Sequence, residues 1–250
     1  MRLPLFLRMV AGVLGAAAIV GAPAVGDAQG AGRGTINGHV KLLGKLPGNP
    51  VIRMGMDPMC ARLNAEKRPG PVQEIVAAAL DGSLANVFVH LQGTFAPTPV
   101  PKEPVVIDQS KCLYVPRVVG AQVGQILQVR NDDDLLHNVH SLTAKGNVFN
   151  VSEPKAGMVQ QFTLKDEEML KIKCDVHSWM TTFVGIVSHP YFAVSGAAGT
   201  FEIPNVPVGS YRIVIWHERY GTQAKTVRVS DRATATVDFV YTGNETPAHP

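Results

Sequence analysis

The chain has 250 residues, enough for one large β domain or two smaller ones with a proper core, so folding needs neither disulfides nor a metal. A metal in such a chain serves chemistry. The formal net charge is +3 and charged residues make up 17 %, which excludes recognition of nucleic acid or an anionic membrane by bulk charge and leaves partners to be inferred from sites.

Taken in order, the chain opens with Arg2 and Arg8, an apolar run over 9–20, and small residues that offer cleavage after Ala24 or Ala28. That is the pattern of a secretory leader over residues 1–28, and it predicts a periplasmic or secreted protein. The run is short for a bilayer span, and a retained anchor is the alternative. Strands are expected over 36–42, 86–91, 105–107, 125–130, 138–142, 159–164, 169–173 and 183–187, where β-branched or alternating runs are bounded by Gly, Pro, Asn and Asp. Residues 72–80 are Ala-rich and predict one short helix. The proline-rich stretch 94–104 reads as a loop over the sheet.

A second unit starts near His189, with strands expected at 192–194, around Phe201 and Ile203, and over 211–216, 225–229 and 234–241. The expected division is therefore a leader over 1–28, a β-sandwich over 34–188 with an N-terminal extension, a smaller β-sandwich over 189–242, and a tail over 243–250. The fold class is all-β.

Three cysteines in an oxidising compartment leave one unpaired. Cys60 and Cys112 stand outside any metal-spaced cluster and are paired here as a disulfide, with Cys174 free. Pairing of either with Cys174 remains the alternative, and it would abolish the metal site described next.

The segment 173–180 reads KCDVHSWM, which places a thiolate, an imidazole and a thioether on one tight loop between two strands. Upstream, 130–141 reads RNDDDLLHNVHS, and His137 opens a strand after an acidic turn. A soft thiolate with two imidazoles in a plane and a weak axial thioether suits copper in both oxidation states. Zinc sites seldom use methionine, and oxygen-seeking cations do not match these donors. His140 lies three positions along the strand from His137 and should face the other side of the sheet. Asp132, Asp133 and Asp134 read as a solvated turn. Met54, Met56 and Met59 in RMGMDPMC form a candidate accessory Cu(I) site, with core filling as the plainer reading. His189, His217 and Glu218 are candidates for a cluster at the junction of the two units, and hydrogen-bonded packing is the plainer reading for them. A catalytic thiol finds no third residue to orient a base, so no enzyme is expected.

The stretch 131–140, the loop CDVHSWM and the Phe162/Leu164 pair after Gly157 resemble the cupredoxins, most nearly the branch with a short ligand loop typified by amicyanin. The resemblance covers roughly 105–187. It implies a Greek-key β-sandwich holding one type-1 copper ion, with His137, Cys174 and His177 as equatorial ligands and Met180 as the axial one. It also implies that Asn138 ties the two ligand segments together. Trp179, inside the loop, reads either as lining the apolar surface near His177 or as a cap on the core. Leu136 and Ser178 stand where similar proteins often have prolines. The run AVSGAAGTFEIPNVPVGSYRIVIWHE resembles the transthyretin-like module called carboxypeptidase regulatory-like, which implies an accessory sandwich without activity. The expected function is electron transfer with a transient redox-protein partner and no small-molecule substrate or nucleic acid. The alternatives are a copper carrier or buffer and an unmetallated partner-binding module.

Overall fold

The computed structural model describes residues 32–67 and 70–245, so the expected leader and the last five residues lie outside the described part. The described chain is all-β. Its strands are β1 (Arg33–Leu42), β2 (Phe88–Gln92), β3 (Val105–Ser110), β4 (Leu113–Val115), β5 (Val118–Gln122), β6 (Ile126–Asn131), β7 (His137–Leu142), β8 (Asn150–Glu153) and β9 (Val159–Thr163). They continue as β10 (Glu168–Lys173), β11 (Thr181–Val187), β12 (Phe192–Val194), β13 (Thr200–Pro207), β14 (Gly209–His217), β15 (Gly221–Val229), β16 (Thr234–Thr236) and β17 (Phe239–Tyr241). No described helix is long and apolar enough to cross a membrane.

Two sandwiches result. In the first, the sheet β5-β11-β10-β7-β8 faces the sheet β4-β3-β6-β9. Alternate residues of each strand, among them Ile107, Leu127, Val129, Leu170 and Ile172, turn inward and are fully buried. In the second, β13-β1-β16, with β17 also on β1, faces β12-β2-β14-β15 around Ile36, Leu91, Ile203, Ile213 and Phe239. Each such aliphatic side chain taken out of water contributes about 1.5–3 kcal/mol. The sandwiches meet where Phe88, Val118, Phe183 and Val187 form a third cluster. Strand β11 is therefore buried along nearly its whole length, because one face serves the first core and the other serves this junction.

Strand pairing corrects the expected division. The stretch from residue 34 was read as an extension of the first sandwich, yet β1 pairs with β13, β16 and β17, and β2 pairs with β12 and β14. The second sandwich is thus assembled from both ends of the chain. Both N-terminal strands take interior places, β1 between β13 and β16 and β2 between β12 and β14, a pairing that no local pattern reports. The helix expected over 72–80 is absent as well. That segment satisfies its backbone through Asn49, which both donates to the Val76 carbonyl and accepts from its amide, and through bridges Val51↔Val72 and Ala78↔Leu84. The short helix lies instead at α1 (Pro58–Leu63), where Asp57 caps the amides of Met59 and Cys60 and Pro58 opens the first turn.

Candidate metal centre

Strand β10 ends at Lys173 and β11 begins at Thr181, and the intervening loop closes on itself. The Cys174 amide donates to the Met180 carbonyl at 3.2 Å, and the Met180 amide donates to the His177 carbonyl at 2.9 Å. The His177 amide donates to Cys174 Sγ at 3.4 Å. Strand β7 is antiparallel to β10 with His140 opposite Lys173, which sets the His137 end of β7 beside this loop. The turn into β7 is shaped by Asn131, which accepts from the Asp133 amide and donates to the Leu135 and Glu153 carbonyls.

These elements bring His137, Cys174 and His177 together, all buried. The two Nδ1 atoms lie 3.1 Å apart and Cys174 Sγ is 3.8 Å from His177 Nδ1. Donors held about 2.0 to 2.3 Å from a single ion must lie roughly 3 to 4 Å from one another, so the spacing fits a metal. Met180 is fully buried in the same core cluster as Cys174. A thiolate, two imidazoles and a thioether form a donor set suited to copper.

The outer ring atoms are held by carboxylates. His137 Nε2 donates to Asp133 at 3.0 Å, and His177 Nε2 donates to Asp57 at 3.0 Å. Asp133 also accepts from the amides of Lys111 and Cys112 at 2.8 and 2.7 Å. Cys60 and Cys112 form a disulfide and Cys174 is free, the arrangement that a thiolate ligand requires. The sulfur of Cys60 lies 3.5 Å from His177 Nε2. Asn138 accepts from the Asp175 amide at 3.1 Å and so links the His137 strand to the Cys174 loop, and Tyr114 donates to the Asn138 carbonyl at 2.5 Å. Trp179 has its ring 5.1 Å from that of His177 and donates to the Cys112 carbonyl at 2.9 Å.

Electrostatics follow from these contacts. Burial pushes the Cys174 thiol up, but hydrogen bonds from the His177 ring and from the His177, Val176 and Asn138 backbones outweigh it and leave the thiol below its ordinary range. Burial likewise pushes Asp133 up, and its contacts with His137 and two amides bring it net below the carboxylate range. Asp57 is lowered first by the Cys60 amide and then by His177.

Sequence reasoning missed Asp57 and Asp133. Asp133 is buried and hydrogen-bonded rather than part of a solvated run. The legible signal was an Asp four residues before a candidate histidine for one, and the Asp-Pro start of a helix for the other. The three methionines of the accessory candidate do not share an environment. Met54 is buried with Asn64 donating to its sulfur at 3.4 Å, whereas Met56 is 95 % exposed and Met59 is 43 % exposed. His140 stands outside the site, paired with Asp175 at 2.9 Å. His189 meets the Leu91 carbonyl, His217 stacks on Tyr220, and Glu218 pairs with Arg117, so these three form no cluster.

No family model matches the chain, and no curated protein matches it. Solved structures similar to it include cupredoxins, each over less than half of this chain. A novel purple cupredoxin from Nitrosopumilus maritimus matches at 24 % identity over 33 % of this chain and 98 % of its own, with a TM-score of 0.29. A mutant of amicyanin in its Cu(I) form matches at 20 % identity over 39 % and 97 %, with a TM-score of 0.31. A copper-containing nitrite reductase from Thermus scotoductus SA-01 matches at 16 % identity over 38 % and 24 %, with a TM-score of 0.30.

Proposed function

We propose that the chain is an exported type-1 copper protein that carries electrons, with one ion held by His137, Cys174 and His177 and capped by Met180. The observation behind this reading is the facing pair of Nδ1 atoms, 3.1 Å apart beside a free, buried cysteine, with both Nε2 atoms turned away onto carboxylates. In the tautomer with both protons on Nε2, the rings would aim two lone pairs at one another, an arrangement that a cation between them relieves. Copper bound there would supply a one-electron couple between Cu(II) and Cu(I).

Burial of all four residues supports a carrier rather than an enzyme, because a substrate has no open approach to the donors. Trp179 lines a cleft of about 370 Å³ with Ile52, Leu113 and Arg117, which on this reading is the contact region for a transient redox partner. On this reading the second sandwich is an accessory module, and export follows from the leader.

The test is direct. Chain refolded with Cu(II) should take up one equivalent and show an intense visible band that dithionite bleaches and air restores, and Cys174→Ser should abolish the band. Colour that survives this substitution, or no copper uptake, defeats the proposal. A second reading, a copper carrier, draws on the exposed thioethers of Met56 and Met59 on either side of Asp57. It predicts rapid surrender of the ion to a soluble chelator, whereas an electron carrier should retain it.

A further inference from the structure

The two carboxylates that hold the ligand rings are connected through one covalent bridge. Starting from one ligand, His137 Nε2 donates to Asp133, and Asp133 accepts the Cys112 amide. Cys112 is bonded to Cys60, the Cys60 amide donates to Asp57 at 3.0 Å, and Asp57 accepts from His177 Nε2. The chain of contacts thus runs from one imidazole to the other around the outside of the site. Asp57 belongs to a segment that precedes the first sandwich in sequence, and its arrival leaves His177 only 2 % exposed.

We infer that Asp57 and Asp133 form a disulfide-closed carboxylate clamp that fixes both histidines as Nδ1 donors, with Asp57 the positioning residue supplied from outside the sandwich. This rests on the copper reading above and assigns how that site is prepared. Each carboxylate has a divided task. Asp57 Oδ1 accepts the amides of Met59 and Cys60, and its other oxygen, Oδ2, faces His177. A carboxylate can only accept, so His177 must present N–H at Nε2 and keep its Nδ1 lone pair for the metal. Asp133 imposes the same choice on His137 while its backbone contacts hold it rigid.

Asp57→Asn separates positioning from folding. The amide oxygen still accepts from the two helix amides, whereas the NH2 group turns to His177 and donates to Nε2, which moves the ring proton to Nδ1. Nitrogen-15 NMR of the metal-free chain in mildly alkaline buffer reads the tautomer without any metal. The expected result is N–H at Nε2 for both rings in the native chain and at Nδ1 for His177 in Asp57→Asn. Competition with a soluble chelator should then show Cu(II) held about tenfold or more weakly by Asp57→Asn, and no better than by Asp57→Ala. A native ring protonated at Nδ1 overturns the clamp even if the variants do not fold. An Asp57→Asn chain with unchanged tautomer and unchanged copper competition overturns it too. Failure of the native chain to bind copper defeats the copper reading and leaves the tautomer result to stand or fall by itself.

Discussion

Gly185 of β11 lies directly beneath the ring of Phe88 in β2, so close that a Cβ there would fall 2.6 Å from three ring carbons. Its register partner, Gly120 of β5, leaves equivalent room for Phe192, where a Cβ would lie 2.4 Å from the ring. Two adjacent glycines therefore form the seat on which the second sandwich rests. Gly185→Ala should force the aromatic side chains aside and destabilise the chain by about 1–3 kcal/mol, read as a lower urea midpoint. An unchanged midpoint would mean that the junction is looser than this contact implies.

The Cys60–Cys112 disulfide closes a separation of 52 residues and anchors the segment that covers His177. Replacing both cysteines with serine should lower stability by roughly 2–4 kcal/mol through the freed loop, and urea unfolding of the two proteins under identical buffer measures it. Copper should also leave the double variant faster, since Asp57 is then tethered only by noncovalent contacts. Equal rates of copper loss would show that the helix cap alone suffices.

His217 is buried, its Nδ1 accepts the Arg219 amide at 3.1 Å, and its Nε2 has no partner. Burial first, then the positive charges of Arg219 and Arg117, push its pKa down to about 4 from an ordinary 6.5. The unfolded chain therefore takes up a proton at His217 that the folded chain refuses. Its stability contribution is intact above pH 6.5 and is lost as the pH falls through 4, amounting to about 3 kcal/mol. Melting curves across that window should steepen toward acid, and His217→Gln should flatten the trend. A variant that keeps the full acid sensitivity would place its origin elsewhere.

Met180 is fully buried, and leucine matches its volume closely. Met180→Leu should cost less than about 1.5 kcal/mol and leave the three stronger donors in place. Copper should still bind with its colour, but loss of the axial donor leaves three ligands, a coordination number that Cu(I) tolerates better than Cu(II), so the reduction potential should rise. Cyclic voltammetry of the two proteins decides this, and an unchanged potential would remove Met180 from the ligand set.

The candidate loop was legible because its pattern is local. Cys174, His177 and Met180 lie within seven residues bounded by two strand patterns, and the spacing alone lets one turn gather them. His137 was legible from a strand that opens after an acidic turn. The expected strands over 36–42, 105–107, 125–130 and 169–173 fall within β1, β3, β6 and β10 or within a residue of them, since alternation survives wherever one face is core. The strands β4, β5 and β8 were not foreseen, because Pro116 separates β4 from β5, Gly120 interrupts β5, and β8 has Val151 as its one apolar residue.

Composition, spacing and alternation by themselves pointed to an all-β chain with an odd number of cysteines and a cluster of copper-type donors, and left open which cysteine stays free. Tertiary structure decided what surrounds those donors. Asp57 stands 120 residues from the ring it holds, and β1 pairs with strands more than 150 residues away. Contacts of that reach depend on which open sheet edges and buried polar atoms find partners once the chain has collapsed, and no local pattern along the chain encodes that choice.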